Sequence, residues 1–179
     1  MKLKIPFYYH IILFLGIFIT FYLWDIGINN REMDFVFSTL YFSFNVTFIL
    51  SIFIVYILNF YTFCDWFFNK KKIVFYLFSI PVSLLIFSGV RYFLQEVIVF
   101  ELTGIHNYAE KTREITYYIR DNFFFGLPAI ILSALSYLFW QFQNTYKLNQ
   151  QLILENKKAE LQMLKSQVSP HFLFNTLNS

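Results

Sequence analysis

Four stretches of this chain contain no Asp, Glu, Lys or Arg: residues 5–24, 35–64, 73–90 and 122–146. They are 20, 30, 18 and 25 residues long. A helix needs about 20 apolar residues to cross roughly 30 Å of hydrocarbon, so each stretch reads as a transmembrane span. The first and third are near the minimum. The second is long and is expected to tilt or to project from the bilayer. The fourth ends in Gln141, Gln143 and Asn144, which puts the end of its membrane part near Trp140. Composition points the same way. Of the 179 residues 58% are hydrophobic and 14% charged, where an ordinary soluble domain has about 25% charged. One core of this size cannot hide that much apolar surface. Disorder, collagen, a whole-chain coiled coil and a soluble enzyme are excluded. The expected fold class is an all-α membrane protein with four transmembrane helices, at about 5–24, 38–63, 73–92 and 122–142.

The first stretch follows Lys2 and Lys4, as a signal peptide would. Its apolar run exceeds the roughly 7–15 residues of a signal h-region, and bulky Trp24-Asp25-Ile26 gives no small-residue cleavage site. It reads as an anchor that stays. Loop charges set the orientation. Lys2 and Lys4, then Lys70, Lys71 and Lys72, then Lys147, Lys157, Lys158 and Lys165 mark alternate compartments as cytoplasmic. Both termini are therefore expected in the cytoplasm. Aromatic residues crowd the span ends, among them Tyr8, Tyr9, Tyr22, Trp24, Trp66 and Trp140, as headgroup contact favours. The net charge of +3 is too small to imply nucleic acid.

Inside the spans, Pro81 and Pro128 are expected to kink helices three and four, with Ser79 and Ser83 partly satisfying the backbone groups freed at Pro81. Cys64 is the single cysteine, so no intrachain disulfide can form. It reads as a small apolar filler at a span end. Helix three is expected to continue beyond Val90 as Arg91-Tyr-Phe-Leu-Gln-Glu96-Val-Ile-Val-Phe-Glu101. Two readings of its charges stand side by side. They snorkel on an outer extension, or Arg91, Glu96 and Glu101 form a pocket that meets a stimulus, since an ionisable group at membrane depth is a functional candidate. Loop three, roughly residues 102–121, is too short for a folded sensor domain. His106 and Glu110 stand four apart in it, too few ligands for a metal site.

After Tyr146 the chain becomes polar and free of Gly. Residues 147–167 are rich in Leu, Glu, Lys, Gln, Ala and Met, strong helix formers. Leu154, Leu161 and Val168 recur every seven residues with Leu164 between them, which is coiled-coil spacing. Leu148, Leu152, Ala159 and Met163 make a competing stripe. A linker helix over 147–168 that continues span four and pairs in a parallel homodimer is expected. At Ser169-Pro170 the chain either kinks or starts a new helix with Ser169 as N-cap. His171 then falls in the first turn, and Asn175 shares its face. A neutral imidazole has a lone pair that attacks phosphorus, and a reference pKa near 6.5 keeps much of it neutral at cytoplasmic pH.

The run 161–179, LQMLKSQVSPHFLFNTLNS, resembles the signature L-K-x-Q-x-x-P-H-F-L-F-N-x-L-N of LytS-type sensor histidine kinases. Leu164, Lys165, Gln167, Pro170, His171, Phe172, Leu173, Phe174, Asn175, Leu177 and Asn178 fill every fixed position. The resemblance covers about the last twenty residues. It implies a two-component phosphorelay. His171 would accept the γ-phosphoryl of ATP and pass it to an Asp of a response regulator, expected to be of the LytTR type. Asn175 would be an orienting partner of His171, or a packing or capping amide. Phe172 stands where many other histidine kinases have an acidic residue. The resemblance makes 1–146 the four-helix sensor region, 147–168 the linker and 169–179 the start of the phosphoacceptor helix.

The family carries an ATP-binding domain after this motif, with Asn- and Gly-rich boxes for Mg-ATP. The five glycines here, Gly16, Gly27, Gly89, Gly104 and Gly126, all lie in or beside the spans. A chain of this extent is expected to be a truncated input half, without cofactor or kinase chemistry of its own. A competing expectation is a non-catalytic membrane module that pairs with a complete kinase and damps it. A transporter or channel is disfavoured by the scarcity of ionisable groups and the lack of repeats.

Overall fold

The protein is described here from a computed structural model over residues 5–167; the motif residues Pro170 to Asn178, with His171 and Asn175, lie outside the described residues. Among the described residues every regular element is helical. We number α1 (Phe7–Gly27), the one-turn α2 (Met33–Val36), α3 (Thr39–Asn69), α4 (Ile73–Thr103) and α5 (Ile115–Gln167). A 3₁₀ turn, Glu110–Thr112, precedes α5. The helices α1, α3, α4 and α5 are each long and apolar enough to cross a membrane. Both α3 and α4 contain a π-helical segment, Asn59–Cys64 and Phe93–Val99.

Two units make up the chain, and the smaller takes the polypeptide from Phe139 onward. Its described part is helical through Gln167, and Leu148, Leu152, Leu154, Leu161, Met163 and Leu164 are all exposed there. The described residues of both competing apolar stripes therefore lie open in the single chain.

The larger unit, Lys4–Leu138, holds the packed core. Phe14 of α1 meets Ile49 and Tyr56 of α3, and Phe18, Phe21, Phe53 and Leu132 close around them. Phe14 and Phe53 stack edge to face at 4.7 Å, a geometry that adds about 0.5–1.5 kcal/mol to the area buried. The outer faces are apolar too. Ile12, Leu15, Ile19 and Leu23 of α1 and Leu77 and Phe78 of α4 are exposed. Apolar faces this extensive on a monomer mark a surface that something covers.

Gly126 brings α5 close to α4. A Cβ there would stand 2.9 Å from Cδ1 of Phe87 and 3.0 Å from Cδ2 of Leu84. Overpacking of this kind costs about 1–3 kcal/mol. Gly126→Val is therefore expected to lower the melting temperature in detergent, by about 2–4 °C per kcal/mol. Gly89→Ala, whose new Cβ meets nothing within 4 Å, is expected not to. Equal melting of the two variants would remove the close-approach account.

The structure departs from the sequence reading in three places. Loop three is shorter than expected. Gly104, at φ 68°, ends α4 in the left-handed region that glycine enters freely, and α5 begins at Ile115, so Arg120 and Asp121 are helical. Pro81 lies inside α4, but only one of the two expected serines bonds nearby. Ser79 Oγ donates to the Tyr76 carbonyl at 2.7 Å, whereas Ser83 Oγ is buried with no hydrogen-bond partner. Third, the helix of α4 widens at Phe93–Val99 into π geometry, which no sequence period announces.

Candidate functional site

The π-helical segment of α4 carries the most buried polar cluster. A π turn inserts a residue into the ordinary helical repeat and is frequent at functional sites. Here it turns Gln95 and Glu96 both inward. Gln95 is 1% exposed, and Arg91 and Glu96 are 9% exposed.

Arg91 sits four residues before Gln95 and donates from Nε to Gln95 Oε1 at 2.9 Å. Its Nη1 reaches across to Asn122 Oδ1 on α5 at 2.7 Å. The guanidinium lies over Phe48 at 4.8 Å, Phe125 at 5.4 Å and Tyr108 at 5.7 Å. Among the described residues no carboxylate stands within 4.0 Å of it; the ion pairs there are Arg31–Asp25 and His106–Glu96. A buried cation without a counter-charge is costly. Two charge-assisted hydrogen bonds of about 1.5–3 kcal/mol each and three ring faces at about 0.5–2 kcal/mol each offset that cost. Arg91 is thus held by neutral amides and aromatic rings from α3, α4, α5 and the loop.

Gln95 extends the network to α3: its Nε2 donates to the Phe44 carbonyl at 3.0 Å. Asn107 Nδ2 donates to Gln95 Oε1 at 2.9 Å. Glu96 holds the loop. One carboxylate oxygen stands 2.6 Å from His106 Nδ1, and the other accepts the backbone N–H of Asn107 at 3.1 Å and of Tyr108 at 3.3 Å. The His106 ring stacks on Phe100 at 3.9 Å. Tyr108 donates to Asp121 of α5. Burial, reinforced by that carboxylate, pushes the Tyr108 phenol above its ordinary range, so it stays a neutral donor at physiological pH. The hydroxyl of Tyr118, whose ring packs on Tyr108, is buried with no hydrogen-bond partner.

Of the three residues expected to form a stimulus pocket, Arg91 and Glu96 thus enter one cluster, and Glu101 does not. Glu101 is exposed on the last turn of α4. His106 pairs with Glu96; residues 105–109 are not helical, so the shared helical face that would align it with Glu110 does not form. Gln95, Asn107, Tyr108 and Asn122 were not singled out from sequence. A signal was present in two of them: Gln95 and Asn122 are amides bordering apolar helical runs, where an amide needs a partner.

Polar side chains gather at the other π segment as well. Asn59 Nδ2 donates to Tyr76 Oη at 2.9 Å, Tyr137 donates to Asp65 Oδ1 at 2.9 Å, and His10 lies 3.0 Å from Tyr56 Oη and 3.1 Å from Tyr61 Oη. Cys64 is buried and free there, 3.5 Å from Asn59 Nδ2, in the position of a packed filler. Among the described residues no group of three His, Cys, Asp or Glu is placed to hold a metal ion.

Comparison with known proteins adds one finding. Residues 159–179 match the family model described as histidine kinase. No curated protein matches the chain, and no solved structure does. The matched segment begins within the last turns of α5 and contains the Pro170-His171 motif.

Proposed function

We propose that this chain is the input half of a membrane-bound sensor histidine kinase of a two-component system. The observation that carries the reading is the family match at 159–179, in a sequence whose preceding part is four helices of membrane-spanning length. In this reading the protein lies in the bacterial inner membrane with both termini cytoplasmic. The segment between α4 and α5 faces outward, and α5 leads toward His171 as one half of a parallel homodimer. His171 accepts a phosphoryl group from an ATP-binding kinase domain, and a response regulator of the LytTR type takes it onto an Asp. Asn175 orients the imidazole.

The cluster around Arg91 supports an input role. Arg91 bonds Asn122 on α5, while Glu96, in the same π segment as Gln95, grips the backbone of residues 107 and 108. A change in the loop is thereby felt by the helix that continues to the linker. Incubation of the membrane-reconstituted chain with a complete kinase core and labelled ATP tests the assignment. The expected product carries label that is stable in base and lost in acid, as an N–P bond behaves. No transfer from any two-component kinase core of matching type would overturn the acceptor role.

A further inference from the structure

A groove of about 310 Å³ runs between α4 and α5 beside the cluster, with Leu85, Gly89, Tyr92, Arg113, Ile115 and Tyr118 in its walls. Its length along α4 from Leu85 to Tyr92 is about 10 Å at 1.5 Å per residue. The walls are mostly apolar. Gly89 leaves the floor open, since a Cβ there would meet nothing within 4 Å. At the loop end stands Arg113. Its Nε donates to the Tyr108 carbonyl at 3.0 Å, which fixes the guanidinium there. Among the described residues it has no carboxylate within 4.0 Å, and Glu114, its neighbour in sequence, does not line the groove.

We propose that this groove seats one acyl chain of an anionic phospholipid, with the lipid phosphate on Arg113. The argument rests on the membrane reading above. An apolar slot that lies along a spanning helix and ends at a cation matches an amphiphile with an apolar chain and an anionic head. A guanidinium binds phosphate through paired N–H donors, and Arg113 keeps its two terminal amino groups for that purpose while Nε is committed to Tyr108. The occupant would also bear on the cluster. Tyr118 lines the groove and packs on Tyr108 at 4.8 Å, and Tyr92 packs on Tyr118 at 5.6 Å. Lipid in the groove therefore touches the residues that surround Arg91.

The test is photolabelling of the whole chain in vesicles with phosphatidylglycerol carrying a diazirine in its acyl chain, read by peptide mapping. Label is expected to concentrate on the peptides containing residues 85–92 and 115–119. Gly89→Phe fills the groove and is expected to lower that label several-fold. Arg113→Gln, at an exposed position outside the core, is expected to lower it for phosphatidylglycerol and to leave labelling by the matching diacylglycerol probe, which lacks the phosphate, unchanged. Even labelling of all apolar helix faces, or an Arg113→Gln effect of equal size with both probes, would overturn the proposal. Should Gly89→Phe not fold, the Arg113 comparison decides alone. Lipid labelling does not depend on phosphoryl transfer, so its failure is distinct from a failure of the kinase reading.

Discussion

His171→Gln is expected to abolish phosphoryl transfer to this chain, leaving only background label when a complete kinase core and ATP are supplied. The reason is chemical. A neutral imidazole offers a ring nitrogen lone pair to phosphorus, and the resulting N–P bond is labile enough to pass the phosphoryl group onward to a carboxylate. The Gln amide has similar size and polarity, but its nitrogen lone pair is delocalised into the carbonyl and does not attack. Asn175→Ala is expected to do less, reducing the rate while leaving the acid-labile bond at the same residue. Label that survives His171→Gln would end the assignment of this histidine. His10→Gln, outside the Arg91 cluster, serves as a control and is expected to keep full labelling.

Glu96→Ala is expected to have the largest effect on the described structure. The carboxylate holds His106 and the N–H groups of Asn107 and Tyr108. Its removal leaves those donors without partners inside a site where Glu96 itself is only 9% exposed. Each buried group left unsatisfied costs about 1–3 kcal/mol, so a loss of about 3–5 kcal/mol is expected after relaxation of the loop. Hydrogen exchange is the direct readout. Amides 106–108 should exchange much faster, while those of α1 and the middle of α3 stay protected. In the kinase assay the same variant is expected to shift the basal level of His171 phosphorylation, because the loop is then uncoupled from α4. Unchanged exchange at 106–108 would show that the carboxylate does not hold the loop. Glu101→Ala is the matched control and is expected to change neither readout, since Glu101 is exposed and belongs to no contact of the cluster.

The sequence was legible where one physical quantity dominates. Absence of charge over about 20 residues leaves a helix of spanning length as the structure that satisfies its own backbone, and four such helices are present. The extension beyond Val90 was legible for a different reason: residues 91–101 carry charges but hold no Gly or Pro to stop a helix, and α4 continues to Thr103. The site was legible only in part. Arg91 and Glu96 stood out because charge in an apolar setting is costly wherever it falls. Their partners did not, because those come from residues 44–48, 106–108 and 122–125, which neither periodicity nor spacing joins to residue 91.

What the sequence by itself determined is the set of helices, their apolar faces and the presence of a histidine motif at 170–175. Those follow from hydropathy, helix propensity and local pattern, which act over a few turns of chain. Only the tertiary structure decided that Arg91 faces amides and aromatic rings in place of an acid. It also decided that His106 meets Glu96 and not Glu110, and that Gly126 admits Phe87. Each of these depends on which helix face meets which, and on a π turn that rotates Gln95 and Glu96 inward. Contacts between residues 10 to 51 positions apart are set by packing in three dimensions, and local pattern does not encode them.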